Sequence, residues 1–259
     1  MSEKIGIAIT TYNSEEYFQT LLESIPEDCY DLMVVVNGGE SYKATYSRKN
    51  LVWIQHAINH GPAKSRNDGL KYLYDQGIEY FFIIEDDMIV KSPEIFKAYI
   101  DAYKKTGLQY FCFASYAWEV GPVGARTPRF QAQYSNDLMV NFYKHSCNEF
   151  TFRTRKMLEK SGYYDERLRY IFDVDNYYNI TKLPDGHCFW YSPDLSNSDD
   201  LIMNNPVAVS RLDGDNKRHE KLAPDYMLFG TKHQIMLNQI IDLPQHEVIN
   251  KLRWIKNSK

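Results

Sequence analysis

Short apolar runs alternate with helically spaced apolar positions through the first half of the chain. Ile5 to Ile9 is such a run, closed by Thr10-Thr11-Tyr12-Asn13. Tyr17, Phe18, Leu21, Leu22 and Ile25 then recur at helical spacing, with Asn13 as the expected cap, Glu16 reaching back to it and Pro26 as the stop. Leu32 to Val36 reads as a second buried strand ended by the turn signal Asn37-Gly38-Gly39, and Leu51 to Ile54 as a third. Gly61-Pro62 opens a helix with Ala63, Leu70 and Leu73 inward and Gly77 as its stop. Tyr80 to Ile84 is a fourth apolar run, and it leads directly into Glu85-Asp86-Asp87. Ser92-Pro93 starts a helix that buries Ile95, Phe96, Tyr99, Ile100 and Tyr103 and stops at Gly107.

This rhythm predicts an α/β chain of Rossmann-like type, with a mostly parallel central sheet flanked by helices on both faces. Residues 1–115 form the regular half. Beyond them the pattern predicts strands over Tyr110–Ala114, Glu149–Arg153 and His187–Tyr191 and a helix over Thr154–Ser161. His246 to Ile255 suits an amphipathic helix with Val248, Ile249 and Leu252 on one face. Residues 192–225 hold few apolar residues and many turn formers, such as Asp213-Gly214-Asp215-Asn216, which predicts a mobile lid.

Composition narrows the classes. The 259 residues are 44% hydrophobic, enough for one sizeable core. A net charge of −4 and a pI near 6.0 exclude a global basic field for nucleic acid. No apolar run approaches the ~20 residues of a membrane span, and Met1-Ser2-Glu3-Lys4 runs into the first strand without a signal-peptide pattern. Cys29, Cys112, Cys147 and Cys188 are scattered without zinc or disulfide spacing, which predicts thiols in a reducing cytosol and a cytoplasmic location. The chain has 21 tyrosines, whose flat faces suit sugars and bases as well as a core. There is no Gly-x-Gly-x-x-Gly, no Gly-Lys-Ser/Thr loop and no nucleophile elbow, which argues against dinucleotide, P-loop and acyl-transfer chemistry.

Candidate chemistry sits where strands end. Three consecutive carboxylates repel one another, so a fold that gathers them usually has a cation there. At the carboxyl edge of a parallel sheet they lie where α/β proteins bind ligands. Hard oxygen donors suit Mg²⁺ or Mn²⁺ carrying a substrate phosphate. Hydroxyls and backbone at Thr10, Thr11 and Asn13 can bond a base edge while Tyr12 supplies a face; a helix cap is the plain alternative. Asn37 can both donate and accept, although a simple turn explains its glycines equally well. Gly61 lets backbone approach a ligand, and the following helix start favours anions.

Taken in order, these segments resemble a known motif set. Ile9-Thr10-Thr11-Tyr12-Asn13, Val36-Asn37-Gly38-Gly39-Glu40, Asn59-His60-Gly61-Pro62-Ala63-Lys64-Ser65-Arg66-Asn67, Glu85-Asp86-Asp87, and Gly162-Tyr163-Tyr164-Asp165-Glu166 followed by Phe172-Asp173-Val174-Asp175 resemble nucleotide-sugar glycosyltransferases of the GT-A fold. The likeness is to the large inverting family of spore-coat and cellulose-synthase type, and it covers roughly residues 5–180.

The resemblance implies a Rossmann-like GT-A domain in which residues 1–115 bind the nucleotide-sugar donor and residues 116–259 bind the acceptor. It implies metal-dependent, inverting transfer, with Mn²⁺ or Mg²⁺ and a UDP-sugar, to an acceptor hydroxyl. Thr10, Thr11, Tyr12 and Asn13 would line the base and ribose pocket, and Gly61 with Lys64 or Arg66 would face the nucleotide. Asn37 replaces an aspartate that reads uracil in the family, which leaves the base open. Asp87 would bind the metal, and Glu85 or Asp86 the ribose or a metal-bound water. Asp173 matches the general base, with Phe172 where the family usually carries Glu and Asp175 as the second candidate. His219, or alternatively His187, would be a further metal ligand, and Trp118 and Tyr116 could stack on a sugar. Two other readings share these motifs. One is a phage-type enzyme glycosylating a modified base in DNA, with Lys217, Arg218, Arg126 and Arg129 as its basic material. The other is a non-catalytic sugar-nucleotide binder, which would keep Asp87 without needing Asp173.

Overall fold

Successive side chains of a strand point to opposite faces, and the central strands of this chain are apolar on both. The computed structural model describes residues 3–40, 46–113, 128–143, 149–186, 192–207, 218–240 and 243–258, apart from the side chains of 218–221. The first half runs β1 (Ile5–Thr11), α1 (Glu15–Ser24), β2 (Leu32–Asn37), β3 (Leu51–Gln55), α2 (Pro62–Asp75), β4 (Tyr80–Glu85), β5 (Met88–Val90), α3 (Glu94–Thr106) and β6 (Tyr110–Cys112). The second half runs β7 (Phe130–Ser135), β8 (Leu138–Tyr143), β9 (Phe150–Thr154), α4 (Arg155–Ser161), α5 (Phe172–Lys182), β10 (Ser192–Leu195), α6 (Ser198–Leu201), β11 (Ile202–Asn204), α7 (Arg218–His233) and α8 (Gln245–Asn257).

The main sheet has the order β3-β2-β1-β4-β9-β6. Its first four strands are parallel, and β9 runs antiparallel between β4 and β6. A strand of the second half thus completes the sheet of the first. Ile7, Ile9, Met33, Val35, Phe82 and Ile84 pack on one face with side chains of α1, α3 and α8. Ala8, Val34, Val36, Phe81 and Ile83 pack on the other with α2, α4, α5 and α7. Two covered faces explain why the strands read as continuous apolar runs. Much of the aromatic surplus is core: Phe82 meets Phe96 edge-on at 4.9 Å, and Tyr99 stacks on Phe111 at 5.5 Å.

One expectation needs correction, and others fall partly or wholly outside the described residues. Asn13 does not cap α1; Ser14 holds that position, and Asn13 lies at a φ of 50° with its carboxamide accepting from the Glu40 N–H at 3.0 Å. The segment expected as a lid carries β10, α6, β11 and α7, while residues 208–217 lie outside the described residues. Some of its polar residues bond internally. Asp194, fully buried, accepts from the Tyr99 hydroxyl at 2.6 Å and the Ser198 hydroxyl at 2.7 Å. The strand expected at His187–Tyr191, along with Tyr116, Trp118, Arg126 and Lys217, also lies outside the described residues. Among the described residues no helix is long and apolar enough to cross a membrane.

Candidate active site

Register brings the polar strand ends together. Thr10 lies opposite Glu85 across β1 and β4, and Thr11 opposite Asn37 across β1 and β2. Beyond Glu85 the chain turns through Asp86 and Asp87 into β5, which pairs antiparallel with β11. The Asn205 N–H donates to the Asp87 carbonyl at 2.7 Å and anchors that turn. Glu149, missed in the sequence, joins the same edge. Its carbonyl accepts from the Glu85 N–H at 2.8 Å, and its carboxylate accepts from the Asn204 amide at 2.9 Å.

The adjacent acids have different surroundings. Asp86 is buried and accepts from the Thr11 hydroxyl at 2.7 Å. Glu85 forms an ion pair with Arg66 Nη2. Among the described residues, no group of three or more His, Cys, Asp and Glu side chains is arranged to hold a metal ion. His219 lies in the first turn of α7, and its side chain is outside the described residues.

Arg66 links the acids to the second half. Gly61 precedes α2 at a φ of 89°, and Pro62 starts the helix with a ring suited to the first turn. One turn on, Arg66 points inward and is only 1% exposed. Its guanidinium lies 5.5 Å from the Tyr164 ring centroid and 4.9 Å from that of Phe172. Burial alone would lower its pKa, but the negative charge of Glu85, with Tyr164 and Asp173, holds it above the ordinary arginine range. Arg66 is therefore enclosed by Glu85, Tyr164 and Phe172 rather than exposed. A planar guanidinium gains more from aromatic stacking and a charge-assisted bond than from hydration.

The rest of this segment is also tied down. Asn67 donates to the Tyr164 carbonyl and accepts from the Tyr164 N–H, both at 2.9 Å, fixing the loop before α5. Lys64 pairs with Asp68, which also meets His56 Nε2 at 2.8 Å. Burial would raise the Asp68 pKa, and the Lys64 and His56 hydrogen bonds hold it below the usual value. Asn37 is fully buried and bonded to its own turn, accepting from the Gly39 N–H at 2.8 Å and donating to the Glu40 carbonyl at 2.7 Å. Tyr12, by contrast, is half exposed at this edge.

Asp173 lies in the first turn of α5, partly buried, next to the Phe172 that stacks on Arg66. Asp175 is a different case. It is fully buried and bonded to Lys232 Nζ and His233 Nε2, each at 2.7 Å. Those partners make it a fastening between α5 and α7. Lys232, His233 and Asp225, all on α7, escaped the sequence reading. The available signal was the buried stripe Leu222, Asp225 and Phe229, which places an acid at a core position.

A mostly parallel sheet flanked by helices, with acids at the carboxyl edge of a central strand, is the α/β architecture of GT-A glycosyltransferases, and this chain has it. Two solved structures share the fold over nearly its whole length. Mannosyltransferase PcManGT from Pyrobaculum calidifontis, in complex with GDP-Man and Mn²⁺, is 12% identical at a TM-score of 0.56, covering 97% of this chain and 69% of that one. S. aureus TarS 1–349 is 16% identical at a TM-score of 0.52, covering 97% and 80%. Against a longer TarS chain the identity is 19% and the TM-score 0.50, and the match spans 37% of that chain. At these identities the likeness is one of fold. No protein-family model and no curated protein matches the sequence.

Proposed function

We propose that the chain is an inverting, metal-dependent glycosyltransferase that moves a sugar from a nucleoside-diphosphate donor, a UDP-sugar first, to an acceptor hydroxyl. The observation that carries this reading is the carboxyl edge of the sheet, where Glu85, paired with Arg66, and Asp86, bonded to Thr11, follow the central strand β4. Arg66 also lies against Phe172, whose chain neighbour Asp173 is the carboxylate we assign as base. The fold shared with PcManGT, itself in complex with GDP-Man and Mn²⁺, supports the donor class.

A divalent ion that carries a diphosphate needs only one or two protein carboxylates. Asp87, at the tip of the turn and a hard oxygen donor, is the residue we assign to hold it. When bound, the ion would neutralise charge building on the leaving diphosphate. Thr11 fixes Asp86 beside it, and Tyr12 offers an exposed face for the base. Asp173 takes the proton of the acceptor hydroxyl as that oxygen bonds to the anomeric carbon. The bond from that carbon to the diphosphate breaks, and its electron pair leaves with the nucleotide. Asn37 holds the turn that follows β2, next to Tyr12, through its bonds to Gly39 and Glu40.

The test is a thermal-shift screen with UDP-glucose, UDP-N-acetylglucosamine and GDP-mannose, each with and without Mn²⁺. A ligand that binds the folded chain raises its melting temperature. A Mn²⁺-dependent rise with one donor is expected; no rise with any of them would remove the donor assignment.

A further inference from the structure

Asp225 occupies the middle of the buried stripe of α7, between Leu222 and Phe229, and is 5% exposed. A carboxylate at a core position is costly unless its oxygens accept hydrogen bonds. One oxygen of Asp225 accepts from three consecutive backbone amides: Arg169 at 2.9 Å, Tyr170 at 2.6 Å and Ile171 at 3.1 Å. Those residues lead directly into α5, whose N-cap residue Ile171 makes no side-chain cap of its own. The first amides of a helix lack partners within it, and a negative charge there is favourable. Asp225 therefore pins, from another helix, the turn that enters α5, up to and including the amide of the N-cap residue Ile171. Asp173 follows two residues after the last pinned amide. Two turns further along α7, Lys232 and His233 grip Asp175 of the same first turn.

We propose that Asp225 is a positioning residue for transfer: from α7 it pins the turn that enters α5 and so holds the backbone that presents Asp173 to the acceptor. The inference rests on the reading of Asp173 as the base. Asp225 touches no reacting atom. Its effect is orientation, and a displacement of about 1 Å can cost about a hundredfold in rate.

The test uses the full chain with Mn²⁺ and whichever of UDP-glucose, UDP-N-acetylglucosamine and GDP-mannose stabilises it most, following nucleotide release with water as acceptor. Asp225→Ala should lower kcat about a hundredfold, leave donor affinity within about threefold, and speed hydrogen exchange at the amides of residues 169–171. Asp225→Asn keeps an acceptor oxygen and should recover kcat to within about tenfold of the native value. If Asp225→Ala does not fold, Asp225→Glu carries the test: it keeps the charge but moves the oxygens by one methylene, and kcat should still fall. Native kcat in folded Asp225→Ala or Asp225→Glu, or unchanged exchange at the three amides, overturns the proposal. Native kcat in Asp173→Asn instead overturns the base assignment, so the two failures are distinct.

Discussion

The guanidinium of Arg66 lies 4.9 Å from the ring centroid of Phe172, the position where the resembled family usually carries Glu. An aromatic face there stacks on the cation and leaves its charge to Glu85 and Asp173. A second glutamate would compete for the same guanidinium. Cation–π contacts of buried arginines contribute about 2 kcal/mol when desolvated, comparable to what an ion pair leaves after desolvation.

Arg66→Met should therefore destabilise the fold and leave Glu85 without its cation. Breaking a buried pair costs about 3–5 kcal/mol. The loss here should be about 2–3 kcal/mol, because the Glu85 side chain is 32% exposed and water screens it. Arg66→Lys keeps the charge without the planar fork and should lose less. Urea denaturation measures both.

Asp173→Asn should retain Mn²⁺-dependent donor binding and lose about 10²–10⁴ in turnover. Asp87→Asn should lose the Mn²⁺-dependent melting shift itself. Turnover at the native rate in Asp173→Asn would mean that another group removes the proton.

Stability should fall as the pH drops from 7 toward 5. The Lys182 ammonium can only donate, so His233 Nδ1, at 2.8 Å, accepts, and Nε2–H donates to Asp175. That geometry needs a neutral ring. Burial holds the His233 pKa below 6.5 even though Asp175 opposes it. The unfolded chain then binds the proton more readily, so the contribution is complete above the unfolded pKa and shrinks as pH falls through it. Asp165, held below the usual carboxylate range chiefly by Arg167 and also by Lys232, adds a loss of the same sign at lower pH. His233→Gln preserves both hydrogen bonds without titrating. It should flatten the dependence of the urea midpoint between pH 7 and 5.

Gly39→Ala should weaken donor binding. A Cβ at Gly39 would lie 2.1 Å from Asn13 Oδ1 and 2.8 Å from the Asn13 backbone nitrogen, so the turn beside Tyr12 must move. Overpacking of this kind costs about 1–3 kcal/mol. Gly38→Ala is the control, since its Cβ would make an ordinary contact at 3.5 Å with Asn59. Titration with UDP and Mn²⁺ compares the two.

The parallel strands were legible because burial on both faces writes an uninterrupted apolar run, as at Leu32 to Val36 and Tyr80 to Ile84. Their acid and hydroxyl tips were legible for the same reason: polar residues ending such a run fall at one sheet edge. The β7–β8 hairpin was not, because Phe130, Gln131, Ala132 and Gln133 cover only part of one face. Helix α7 was hidden by Pro224, a helix breaker inside it, and by Asp225, a charge on its inner face.

Local pattern, then, was enough for the sheet and for the acids at its edge, since both depend on side-chain alternation within a few residues. The partners of those acids depended on tertiary structure. Arg66 reads as a surface cation until Tyr164 and Phe172, from the second half of the chain, close over it. Asp173 and Asp175 are the same residue type two positions apart, and only the packing of α7 makes the second a fastening. Charge acquires its role from what surrounds it, and those surroundings come from distant parts of the chain.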